Sequence, residues 1–83
     1  MTSVIIKDEE ILSASRITLE DCGGRFEITC GVYGAFVHTA FAADREEALA
    51  KYNEMKSELT EFMERETTPD EELGFYEHFA DKY

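Results

Sequence analysis

Apolar and polar positions alternate with a period of two through the first half of the chain, and the period lengthens to that of a helix in the second half. From Ile11 the side chains divide into Ile11, Ser13, Ser15, Ile17 and Leu19 on one face and Leu12, Ala14, Arg16, Thr18 and Glu20 on the other. This spacing predicts a strand. Arg25 to Cys30 alternates again, with Phe26, Ile28 and Cys30 facing one way. Phe36 to Phe41 is apolar or β-branched on both faces, which predicts a third strand in a central or doubly covered position. Asp21-Cys22-Gly23-Gly24 and Gly31-Val32-Tyr33-Gly34 separate these runs and predict turns. Connections this short make neighbouring strands antiparallel. Val4-Ile5-Ile6 reads as a short extra edge strand or a tail. Lys7-Asp8-Glu9-Glu10 reads as a charged break, and a short helix over Asp8 to Leu12 is the alternative there.

Asp44 and Glu47 have the spacing of a capping box, in which the first side chain accepts an orphan N–H and the second reaches back. Ala48, Tyr52, Met55, Leu59 and Phe62 then fall within about 80° of arc at 100° per residue, with Leu49 and Met63 at the margin. A helix from about Arg45 to about Glu66 is predicted, about 33 Å long. The stripe reads first as the cover of the sheet; its a/d rhythm also suits pairing with a second copy. Thr68, Pro69 and Glu71 predict a fresh helix start. A C-terminal helical segment over about 69–82 follows, weakened by Gly74. The expected fold is α+β: a three-stranded antiparallel meander over about 11–41, possibly extended by the N-terminal edge strand, packed by one long helix and followed by a short one. The 83 residues make one domain, near the lower limit for folding without staples.

Charge changes the picture more than size does. Eight Lys and Arg stand against 19 Asp and Glu, for a net charge of −11. The basic residues are scattered and no two are adjacent, so direct binding to nucleic acid or to an anionic membrane is not expected. An apolar span of membrane length and a signal peptide are both absent from the sequence, which places the expected site of action in the cytoplasm with reduced thiols. Cys22, Cys30, His38 and His78 lack the two-to-four-residue spacing of zinc ligands. A second hairpin turning at Val32 to Ala35 sets Cys30 opposite Val37 and Thr29 opposite His38. Asp70-Glu71-Glu72 lacks the Asp-x-Asp-x-Asp-Gly pattern of a calcium loop and suits a helix first turn. The glycines match neither phosphate-loop pattern. No metal, no cofactor and no catalytic activity are expected. A thiol enzyme or sensor using Cys22 or Cys30 is the weakest alternative.

Two surfaces remain as candidates. Glu47, Glu54, Glu58 and Glu61 lie on one flank of the long helix, within about 60° of arc. Such a run is ordinarily a solvated face; as a contact, its carboxylates imitate a row of phosphates. The tail adds Asp70, Glu71 and Glu72, and its Phe75, Tyr76 and Phe79 either fold back on the open sheet face or anchor a partner. These ten residues form the candidate partner-binding set. The expected function is a small acidic binding module that regulates or inhibits a basic protein. In charge and size, though in no motif, the chain resembles small acidic nucleic-acid mimics, among them phage-encoded inhibitors of restriction and CRISPR systems. The alternative is a self-associating structural or accessory protein, a homodimer through the helix seam or the open sheet face.

Overall fold

Four strands and two helices follow one another along the chain: β1 (Val4–Ile11), β2 (Ser15–Asp21), β3 (Phe26–Val32), β4 (Phe36–Ala42), α1 (Arg45–Glu64) and α2 (Pro69–Lys82). The computed structural model describes residues 3–65 and 67–83. The strands form one antiparallel sheet in the order β1-β2-β3-β4. The α+β class and the antiparallel meander are as the sequence implies, with a fourth strand as long as any other.

The N-terminal half differs in detail from its periodicity. The run from Ile11 to Glu20 is not one strand, because the chain reverses over Leu12, Ser13 and Ala14. Ile11 and Ser15 pair across that reversal. An even offset keeps odd-numbered residues facing inward on both sides, so the period of two passes through the turn undisturbed. Leu12 and Ser13 both adopt positive φ, 51° and 57°, the conformation of a type I′ hairpin without its usual Asn-Gly signal. Lys7 to Glu10 is the body of β1 and not a break. Asp8 accepts from Arg16 at 2.8 and 2.9 Å and from Thr18 at 2.9 Å. Glu9 pairs with Lys56 of α1 at 2.5 Å. Charged side chains and a bulge between Ile5 and Lys7 guard an edge strand against pairing with strangers.

β4 also departs from expectation: it lies at the opposite edge of the sheet, covered on one face only. Its hairpin closes at Val32↔Phe36, so Cys30 faces His38 and Thr29 faces Thr39, one residue away from the predicted register. The three-residue connection arises because Gly34, at φ 76°, takes the third place of a turn closed by the Ala35 N–H on the Val32 carbonyl at 3.0 Å.

Ile11, Ile17, Leu19, Ile28, Cys30, Ala40 and Ala42 point to the covered face and meet Ala48, Tyr52, Met55 and Leu59 of α1 in one core. The helical stripe is thus spent on the sheet. Asp44 caps α1 by accepting from the Glu47 N–H at 2.8 Å. Glu47 turns its own carboxylate to Lys51 at 3.4 Å. The helix ends at Glu64; its expected last residue, Glu66, lies outside the described residues. Thr68 caps α2, with Pro69 in the first turn.

The tail returns to the helix side of the sheet, not to the open face. Phe75 stacks on Phe62 at 4.0 Å, Tyr76 on Phe36 at 4.6 Å, and Phe79 meets His38 edge-on at 6.0 Å. Phe36 and His38 share the inward parity of Ala40 and Ala42, so α2 and α1 cover the same face. Aromatic pairs of this kind add about 0.5–1.5 kcal/mol each beyond area burial.

Candidate functional site: the acidic helical surface and the open sheet face

The acidic flank of α1 is held in place partly by the tail it faces. Glu54 and Glu58 both pair with Lys82, at 3.1 and 3.2 Å. The Tyr83 hydroxyl lies within hydrogen-bond reach of both carboxylates, 2.9 Å from Glu54 and close beside Glu58, and donates its one proton to one of them. These two carboxylates therefore dock the end of α2 as well as carrying charge. Lys82 is held more basic than an ordinary lysine by the same two partners. Glu47 and Glu61 are exposed. Glu61 and Glu58 border a shallow depression with Arg65, Phe75 and His78 where the two helices meet.

Asp70, Glu71 and Glu72 occupy the first turn of α2, where carboxylates offset the positive end of the helix dipole. Asp70 and Glu71 are exposed. The Glu71 N–H donates to Thr68 Oγ1 at 3.3 Å, and Glu72 accepts from Thr67 at 3.4 Å. Among the candidate aromatics, Phe79 is 1% exposed and belongs to the core, a correction to its reading as a surface anchor. Phe75 and Tyr76 are half-buried. The structure thus gathers Glu54, Glu58 and Glu61 beside the tail and leaves Glu47 near the other end of α1.

The thiols are poorly suited to nucleophilic work. Cys22 donates to Glu27 Oε2 at 2.7 Å, and that carboxylate pushes its pKa up to about 11. Burial alone pushes Cys30 up to about 12. A thiol nucleophile needs the opposite shift. Near neutral pH both sulfurs are neutral, and Cys30 behaves as a small apolar core residue. Among the described residues no cluster of three His, Cys, Asp or Glu has metal-binding geometry. None of the described helices is long and apolar enough to cross a membrane.

The second surface is the outer face of the sheet, which neither helix touches. Its centre is a row of threonines, with Thr29 and Thr39 Oγ1 atoms 3.2 Å apart. Arg16, Thr18, Tyr33 and Val37 surround a shallow depression over Gly31. Val37 is 76% exposed and Phe41 47%. Sequence reasoning did not single out these two residues as a site because the apolar pattern of β4 resembles that of a buried strand. Comparison of the chain with protein-family models, with curated proteins and with solved structures returned no match to any of the three.

Proposed function

We propose that this protein is a small acidic, non-enzymatic binding module that regulates or inhibits a basic protein partner by presenting carboxylates in place of phosphates. One observation carries the reading. Residues 44–83 hold thirteen acidic against five basic side chains, and the apolar stripe of α1 is already buried, as is Phe79 of α2, with Phe75 and Tyr76 half-buried. What the helices offer to solvent is therefore largely carboxylate. A concentrated field of one sign raises the association rate with an oppositely charged surface and makes binding salt-sensitive. The raised thiol pKa values support a binding role over a thiol-based reaction.

The test is capture of partners from nuclease-treated lysate, followed by washes of rising salt. A basic nucleic-acid-binding protein that leaves at high salt is the expected result. The right variant reverses Glu47, Glu61 and Asp70 to lysine, because Glu54 and Glu58 also hold the tail. The triple variant should lose the partner while keeping a folded circular dichroism spectrum close to that of wild type. Retention of the partner by this folded variant, or at high salt, refutes the proposal.

A further inference from the structure

The two edges of the sheet are built differently. β1 carries Lys7, Asp8, Glu9 and Glu10 and a bulge. β4, Phe36-Val37-His38-Thr39-Ala40-Phe41-Ala42, carries no Asp, Glu, Lys, Arg or Pro and pairs with β3 without a register shift. An uncharged, regular edge strand is a template for another strand. We infer that β4 pairs antiparallel with β4 of a second copy, about a two-fold axis at Thr39, to make one continuous eight-stranded sheet.

The backbone is oriented for this. Lys51 Nζ donates to the Phe41 carbonyl at 2.7 Å, reaching it from α1 on the side away from β3. In an antiparallel strand, alternate residues turn both N–H and C=O to the same side. Val37 and Thr39 therefore share the outward direction of Phe41, and these three residues present a ladder that is free except at the Phe41 carbonyl, which Lys51 yields to the Val37 N–H of the second copy when the strands pair. Their side chains also share one face, the open outer one.

Pairing about Thr39 is self-complementary. Val37 falls opposite Phe41 of the second copy, and Phe41 opposite its Val37, flanking a Thr39–Thr39 pair. The two large apolar residues left exposed on this strand thus cover each other as β-branched–aromatic cross-strand pairs, a favourable combination. On the inner face His38 falls opposite Ala40, and no ionised side chain meets another along the strand.

The pairing also moves β4 into the centre of a sheet, the position its two-sided apolar pattern calls for.

Sedimentation equilibrium on the full chain, up to about 0.5 mM so that weak self-association is seen, reads the proposal directly. The expected mass is twice the 9.5 kDa of one chain. V37K, which places a lysine on the edge at a solvent-exposed position, should return the mass to that of a single chain with an unchanged circular dichroism spectrum. A second measurement reads the register and does not depend on that variant. In a C22S background, T39C should form an intermolecular disulfide under mild oxidation, since paired Cα atoms lie about 5.5 Å apart, within disulfide reach. V37C should not, its copy being four residues out of register. A single-chain mass throughout, dimerisation of folded V37K equal to wild type, or cross-linking of V37C in preference to T39C overturns the proposal.

Discussion

Leu12 and Ser13 pay for a turn that their side chains do not favour. Each holds a positive φ, which costs an ordinary L-residue about 1–2 kcal/mol. Leu12 is also 59% exposed, so it recovers little by burial. Asn and Gly adopt this conformation readily and form the preferred pair in such hairpins. The double substitution L12N/S13G should raise the unfolding free energy by about 1–2 kcal/mol, read from the midpoint of a urea titration at unchanged slope. A lower midpoint means that the turn does not hold these angles in solution. The Cys22 and Glu27 pair illustrates the opposite case at this scale, in which a side chain is quieted by its neighbour. With Glu27 accepting the thiol proton, Cys22 stays protonated well above the range of a free cysteine.

At the scale of elements, α1 and α2 are unequal. α1 spans 20 residues, about 30 Å, and its seam lies against three strands of the sheet. α2 has 14 residues with only Phe79 fully buried. It is held by Phe75, Tyr76 and Phe79, by its Thr68 cap and by the Lys82 and Tyr83 contacts to α1. Gly74 sits within this marginal helix, and a Cβ added there meets nothing within 4 Å. G74A should therefore stabilise the protein by about 0.5–1 kcal/mol through helix propensity alone. Amide hydrogen exchange in α2 should slow in that variant, and exchange that is unchanged or faster would sink the reading. Reversal of Glu54 and Glu58 has the contrary effect: it releases Lys82 and Tyr83, so any loss of binding it produces mixes charge with the undocking of α2.

Across the whole molecule, the charge of −11 is a strain on a fold of this size. Like charges crowded on two helices repel one another, and the repulsion favours expansion. Raising salt from about 20 mM to about 500 mM shortens the Debye length from some 20 Å to about 4 Å. The melting temperature should rise with that change. If dimerisation proceeds through the uncharged β4 edge, self-association should strengthen too, while binding of a basic partner should weaken. Opposite salt responses separate the two surfaces. A melting temperature that falls with salt would mean that ion pairs such as Lys56–Glu9 and Arg16–Asp8 outweigh the general repulsion.

The sequence by itself determined the α+β class, the hairpin at Cys22 to Gly24, both helix starts and the apolar stripe of α1. Each is a local matter: capping side chains, glycine at positive φ and the period of apolar positions act over a few residues and need no distant partner. The acidic character of the helices was equally legible, since charge is additive along the chain. Only the tertiary structure decided the rest. The first hairpin escaped notice because an even offset between paired residues preserves the period of two, and because Leu12 and Ser13 carry no turn signal. β1 became a strand because Asp8 and Glu9 find Arg16, Thr18 and Lys56, contacts between residues eight or more positions apart. The place of β4 at an edge, the side to which the tail returns and the engagement of Glu54 and Glu58 by Lys82 and Tyr83 were all settled by packing, because burial of one apolar surface against another depends on which elements meet in space and not on the pattern within either.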